Sequence, residues 1–368
     1  MKKTSGLIIA LLGLCICTTA QLTTTPSGGN KKAWVGEQIG LTSVEIRYDR
    51  PGVKGREGKI WGQLVHTGFA DQGFGSSKAA PWRAGANENT TIHFSTDVTI
   101  EGKELQAGTY GLFIAYDPNE STVIFSRNSV SWGSYYYEEK EDALRVKVKP
   151  VATDKSEEWL KYEFTNQTGN SAIINLRWEK LSIPFKVEVD LIKTQLETFR
   201  NELRNHKGFV WQTWDQAAQW ALQNNTNLDE ALRWSDSATS PIFGGSTNFQ
   251  PFATKAQLLQ KLGKNADADA LMKAAMPKAN MQELHQYGRQ LLVQKKNNEA
   301  LEVFKMNAAK NPNEFTTMMG LVRGHSANGD FKTALKFAKQ ALPMAPNAPN
   351  KTNVETMIGK LEQGKDVN

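Results

Sequence analysis

From residue 33 to residue 190 apolar and polar positions alternate with a period of two. Val44, Ile46 and Tyr48 interleave with Glu45, Arg47 and Asp49. Leu144, Val146 and Val148 interleave with Arg145, Lys147 and Lys149, and Leu160, Tyr162 and Phe164 with Lys161, Glu163 and Thr165. Phe185, Val187 and Val189 interleave with Lys186, Glu188 and Asp190. Alternation of this kind buries one side of a strand and wets the other, as in antiparallel sheets. Further strands are expected at 90–95, 98–105, 109–116, 122–126 and 172–178. Turn residues punctuate them at Glu101-Gly102, Ala107-Gly108, Asp117-Pro118-Asn119 and Thr168-Gly169-Asn170. The pattern predicts an antiparallel β-sandwich, jelly-roll-like, of about ten short strands.

After residue 190 the period becomes helical. Ile192, Leu196, Phe199 and Leu203 fall at i, i+4, i+7 and i+11, one stripe of an amphipathic helix. Ala300-Leu301 recurs 34 residues later as Ala334-Leu335, and Asn311-Pro312-Asn313 recurs at the same offset as Ala345-Pro346-Asn347. That period belongs to tetratricopeptide helix pairs, with a small Ala where the two helices approach. Weaker copies centre on Ala231 and Ala268. Such repeats stack and present a concave surface to peptides, so residues 191–368 are expected to bind a protein partner.

At the start of the chain, Lys2 and Lys3 precede an apolar run over 7–16. Thr18 and Ala20 then sit at −3 and −1 of a cut before Gln21. The reading is a signal peptide over 1–20, a flexible lead-in over 21–32, and a chain exported to the periplasm or cell surface. No further apolar run is long enough for a permanent membrane span. The two cysteines, Cys15 and Cys17, both lie in the signal segment. Disulfides, thiolate metal sites and cysteine catalysis are thereby excluded from the exported part. The chain carries 44 Lys and Arg against 38 Asp and Glu, a formal charge of +6. Residues 21–190 hold 20 basic and 22 acidic side chains (−2), residues 191–368 hold 22 and 16 (+6), and Lys2 and Lys3 supply the remaining +2. The basic character therefore belongs to the repeats. It favours an acidic partner there, and with export it disfavours nucleic acid.

Candidate chemistry concentrates in the irregular stretch 50–89, since loops this long are functional or disordered. Its ends carry Arg50, Lys54 and Arg56, then Arg83, Asn87 and Glu88. Arginines there would grip a small anion through paired hydrogen bonds. Asn87 would orient the ligand, and Glu88 would serve as acid or base if burial raised its pKa. The plainer alternative pairs Arg83 with Glu88 to pin the loop. Trp61, Trp82 and Trp132 would stack on a glycan if exposed, or cap the core if buried. A metal held by His66, His93 and Glu88 is geometrically conceivable, yet no HExxH or paired-histidine spacing supports one. GxSxG, P-loop and dinucleotide fingerprints are absent, so no cofactor is expected.

The segments IGLTSVEIRYDRPGVKGR (39–56), WRAGANENTTIHFSTDVTIEGKELQAGTYGLF (82–113), VIFSRNSVSWGSY (123–135) and LRWEKLSIPFKVEV (176–189) carry a family resemblance. In them the chain resembles a bacterial exported family known only as domain of unknown function 2911. The likeness covers about 150 residues by these segments. It implies an exported β domain, some members carrying a helical repeat tail, and it implies no activity. One departure is the longer connection HTGFADQGFGSSKAAP after Val65. The resulting expectation is an exported binding or assembly module. The alternative is a hydrolase-type enzyme with Glu88 as acid or base in an Arg-lined loop pocket.

Overall fold

The computed structural model describes residues 29–368; the expected signal segment 1–20 lies outside the described residues. The chain divides into two compact units after Gln195. Ten strands fill the first: β1 (Lys31–Ile39), β2 (Thr42–Arg50), β3 (Thr91–Phe94), β4 (Val98–Ile100), β5 (Lys103–Leu105), β6 (Gly108–Ala115), β7 (Ser121–Ser126), β8 (Asp142–Val148), β9 (Val151–Thr165) and β10 (Ser171–Glu188). They form two antiparallel sheets, of order β1-β2-β3-β6-β7-β8 and β5-β4-β10-β9.

One core serves both sheets. Ile46, Ile92, Phe94, Leu112 and Phe125 from the first meet Leu160, Ile174, Trp178, Ile183 and Phe185 from the second. Phe125 and Phe185 touch edge to face, ring centroids 5.8 Å apart. The expected strand 98–105 is a hairpin, β4 and β5. Its turn residues Glu101 and Gly102 both take positive φ, as a tight two-residue turn requires. β1 begins at Lys31, inside the expected lead-in.

The alternation suggested separate strands at 172–178 and 185–189, but β10 runs through both. The cause is a break in phase. Ala172, Ile174, Leu176 and Trp178 point inward on even positions, whereas Ile183, Phe185 and Val187 do so on odd ones. The register against β9 shifts on either side of Glu179, which adopts φ 52°. The unpaired extra residues lie on β9, and the left-handed Glu179 turns β10 over so that its inward parity changes.

The stretch 51–90 is neither a floppy loop nor a lid. Single bridges tie Gly52 to Trp159, Thr67 to Tyr116 and Trp82 to Ile114. Val53, Ile60, Val65 and Trp82 are buried in the shared core. Trp82 stacks on Trp178 at 6.1 Å, and Trp61 meets Trp82 edge-on at 5.6 Å. This strap supplies core residues from a segment without regular strands.

The helices are α1 (Leu191–Glu202), which crosses the division between the units, α2 (Trp211–Gln223), α3 (Leu228–Ala238), α4 (Gln250–Lys261), α5 (Asn265–Ala275), α6 (Met281–Val293), α7 (Asn297–Lys310), α8 (Phe315–Ala327), α9 (Phe331–Ala341) and α10 (Ala348–Glu362). Four hairpins, α2/α3 through α8/α9, precede α10. Ala231, Ala268, Ala300 and Ala334 each occupy the fourth position of the second helix in its pair. All four are fully buried, because only a methyl fits where the helices touch. Phe304 of α7 lies against Gly288, Gly320 and Gly324. A Cβ on any of these would come within 3 Å of its ring.

Trp82→Ala is expected to cost about 3–5 kcal/mol, because it opens a cavity between strap and sheet. Trp132→Ala, on an exposed side chain, is expected to stay within about 0.5 kcal/mol. Urea denaturation of both variants measures the difference; equal midpoints would show that the strap is not part of the core.

Candidate functional site

The predicted cations do not converge. Arg50 donates to the carbonyls of Leu160 (2.6 Å) and Trp159 (3.4 Å), stapling β2 to β9. Arg56 donates to Val53 O (2.9 Å) and Gly52 O (2.7 Å), closing its own turn. The backbone N–H of Lys54 donates to Glu158, and its ammonium lies over the Trp159 ring, 6.0 Å from the centroid. Arg83 donates to Asn87 O at 2.8 Å and stacks on Tyr135 at 4.8 Å. Backbone carbonyls and aromatic faces thus absorb the charge that was expected to grip an anion. Trp82 belongs to the core and cannot serve as a ligand platform. Trp132 is 58% exposed, but it lines none of the clefts described below. Asn87 accepts from Asn30 Nδ2 at 3.4 Å.

Glu88 reaches neither Arg83 nor a histidine. It meets Lys32, whose Nζ donates to Glu88 Oε1 at 2.8 Å, and Asp49. Both partners escaped the sequence reading. Lys32 lay in the expected lead-in, and Asp49 sat on the wet phase of β2. Asp49 is in fact only 5% exposed. Ala86 N donates to Asp49 O at 3.2 Å and draws the 84–90 segment across the end of the strand. Lys32 faces Asp49 in the β1–β2 register, which brings all three groups to one place.

Two carboxyl groups held this close disfavour the state in which both are ionised. Burial, then the hydrogen bond and charge of Glu88, push Asp49 up to about 6. The hydrogen bond from Asp49, then that from Lys32, hold Glu88 well below the usual carboxylate range. Lys32 is raised by its bond to Glu88. Glu88 therefore fails the condition set for it as an acid, because its pKa falls where a rise was needed. Of the two, Asp49 is the group that keeps its proton to higher pH. The pair borders a cleft of about 510 Å3 lined also by Trp34, Glu45, Arg47, Tyr48 and Asn89. Trp34 is 74% exposed and is the accessible indole of this cleft. Asp49 Oδ1 is buried without a hydrogen-bond partner.

The long connection after Val65 builds a second cleft of about 410 Å3, between Phe69, Ser76, Ser77, Lys78 and Ala79 on one side and Tyr137, Glu139 and Arg145 on the other. Asp142 accepts from Tyr137 Oη and from Arg145 Nε, each at 2.6 Å, and fixes both side chains. Arg145 also pairs with Glu139 at 2.9 Å. His93 bonds Thr109 at 2.9 Å on β3. Among the described residues, no three His, Cys, Asp or Glu side chains group to hold a metal, so His66, His93 and Glu88 do not form the conceivable site.

In the repeat unit, α4 and α6 flank a cavity of about 580 Å3. Gln250 and Gln257 line it from α4, and Gln282, Gln286, Gln290 and Arg289 from α6. Of the first helices of the pairs, α2 packs on α4 and α6 on α8, and the cavity lies between α4 and α6. Primary amides carry a donor and an acceptor at fixed spacing, the match for a peptide group.

Residues 30–187 match the family model described as "Protein of unknown function (DUF2911)". No curated protein matches the chain. Among solved structures the chain is similar to a protein of the APC/C hetero-tetramer Cut9-Hcn1, at 16% identity and TM-score 0.31 over 46% of this chain. The match spans only 33% of that chain. It is similar to YrrB, a TPR protein with an unusual peptide-binding site, at 14% identity and TM-score 0.31 over 47% of this chain and 87% of that one. It is also similar to the C-terminal part of a TPR repeat-containing protein from Cytophaga hutchinsonii, at 14% identity and TM-score 0.36 over 46% and 66%.

The carboxyl pair makes stability depend on pH. Asp49 has a folded pKa above its unfolded value, so its contribution is present at low pH and is lost as pH rises from about 4 through about 6. Asp49→Asn keeps a hydrogen-bond donor for Glu88 without the charge. It is expected to leave the urea midpoint unchanged at pH 4 and to raise it at pH 8. A difference from wild type that does not vary with pH would show that Asp49 and Glu88 share no proton.

Proposed function

We propose that this protein is an exported binding and assembly module whose helical repeats hold a segment of a protein partner. The observation that carries the reading is the amide-lined cavity between α4 and α6. An extended peptide laid across it would find side-chain amides from two neighbouring helices and lose little hydrogen bonding on leaving water. The β domain supplies a separate cleft, bordered by Trp34 and the Asp49–Glu88 pair, for a small polar ligand or glycan. Export rests on the charged, apolar and small-residue order of residues 1–20. It predicts a secreted form whose first residue by mass spectrometry is Gln21.

A second reading, a hydrolase, draws on the same carboxyl pair. Neighbouring carboxyls with pKa values driven apart are the arrangement in which one donates and the other accepts a proton. In that reading Asp49 is the acid and Glu88 the base. It requires turnover of an envelope glycan that Asp49→Asn and Glu88→Gln both abolish.

The partner reading is tested with a photocrosslinking amino acid in place of Gln286, inside the cavity, or of Lys336, exposed on α9. Crosslinking in cells is expected to trap a discrete protein from position 286 and not from 336. Identical patterns from both positions would overturn the assignment of the cavity.

A further inference from the structure

The cleft beside the Asp49–Glu88 pair is short of hydrogen-bond donors. It lies on the outer face of the first sheet, where the β1–β2 register sets Lys32 opposite Asp49, Trp34 opposite Arg47 and Gly36 opposite Glu45. Asn89, near the end of the strap, lines it too. Its amide nitrogen donates to Asn128 O at 3.2 Å, which fixes the orientation of the amide and leaves Oδ1 buried without a partner. Asp49 Oδ1 is in the same condition. Both residues are at least nine-tenths buried, Asn89 at 9% exposure and Asp49 at 5%. An acceptor held out of water without a donor costs free energy that a donor on a ligand would recover.

The charged groups of the cleft are matched to one another. Lys32 Nζ holds Glu88 Oε1 at 2.8 Å, and Arg47 Nε holds Glu45 Oε1 at 2.6 Å. Asp49 is the remaining carboxyl, and its Oδ2 lies 3.9 Å from the same Lys32 ammonium. An anionic ligand would meet three carboxyl groups against two cations. A cationic one would compete with Lys32 and Arg47 for carboxylates they already hold. Trp34 is the apolar component. Its ring is 74% exposed and, among the described residues, meets no other ring and no cation. The next position on that face of β1 is Gly36, so no side chain stands beside the indole in that direction.

A ligand that fits must bring donors, carry no net charge and present a flat apolar face. A pyranose ring does all three: the C–H bonds of one face cover an indole while hydroxyls at its edge donate to acceptors. A purely apolar ligand would cover Trp34 and leave both acceptors unpaired. We infer that this cleft is a subsite for one neutral hexopyranose unit of a glycan, stacked on Trp34, with its hydroxyls donating to Asn89 and Asp49. This assignment rests on the reading of the cleft as a ligand site, and narrows its ligand from any small polar molecule to one class. It concerns binding alone and is independent of the hydrolase reading.

The probes are linear hexasaccharides. Cellohexaose, maltohexaose and the N-acetylated chitin hexamer are neutral, hexagalacturonate is anionic and the chitosan hexamer is cationic. Each is titrated into the protein at mildly acidic pH, where the uronate is ionised and the amine protonated, while the Trp34 indole N–H is followed by NMR. At least one neutral hexamer is expected to shift that resonance and to bind at least about tenfold more tightly than either charged one. Its per-O-methylated form, which keeps the rings and loses the hydroxyl donors, is expected not to bind. Trp34→Ala is expected to weaken binding at least about tenfold, Trp34→Phe to keep most of it, and Trp132→Ala, at an exposed indole outside the cleft, to leave it unchanged. Far-UV circular dichroism establishes that each variant is folded. Equal binding of the methylated form, or binding that survives Trp34→Ala, would overturn the inference. If a charged hexamer binds most tightly and shifts Trp34, the cleft remains a ligand site and only its neutral class is wrong. If no hexamer shifts Trp34, the assignment and the reading of the cleft fall together.

Discussion

The first domain depends on burying the strap 51–90 against the aromatic cluster of Trp61, Trp82 and Trp178. Residues 29–368 contain no cysteine, so no covalent cross-link compensates for weak packing. Two sheets with one shared core leave their ends open, and the strap fills that opening with Val53, Ile60, Val65 and Trp82. Arg50 and Arg56 then complete its backbone hydrogen bonding, since a buried irregular segment has no ladder partners of its own. The polar clusters at the strap's two ends are the fastenings of a core segment. This account also explains why the Asp49–Glu88 pair forms where it does: the end of the strap crosses the last residues of β2, and a carboxyl group from each is trapped at the crossing.

Much of the architecture was legible in the sequence because periodicity reports burial directly. Period two announced the antiparallel sheets, and the 34-residue recurrence announced the helix pairs. All four alanines identified from that recurrence prove to be fully buried at the same position of the second helix. The resemblance on 39–56 and 82–113 holds as a family match over 30–187. Sequence reading failed where phase was broken or where contact was long-range. At Glu179 a single residue with positive φ reversed the parity of β10, so one strand looked like two. The site lay in the right stretch but had the wrong members. Glu88 was visible as a loop carboxylate, yet its partners Lys32 and Asp49 arrive from strands more than thirty residues away. Nothing local distinguishes a wet-face Asp from one that a distant loop will cover.

The two candidate surfaces differ in kind. The β-domain cleft sets a pair of acids beside one accessible indole. The repeat cavity is lined by side-chain amides with Arg289 among them, so it offers backbone pairing. Neither is a refinement of the other, and each can be disabled by substitutions that leave the other untouched.

The ring of Phe304 has a mechanical meaning. It is wedged against three positions, Gly288, Gly320 and Gly324, that have no side chain with which to yield. Neighbouring helices ordinarily slide by small rearrangements of flexible side chains, and here that lubricant is missing. The helices α6, α7 and α8 should therefore bend and stretch as one stiff segment of a spring. Gln282, Gln286 and Gln290 are mounted on that segment, so tension applied along the repeats would leave this wall of the cavity unchanged.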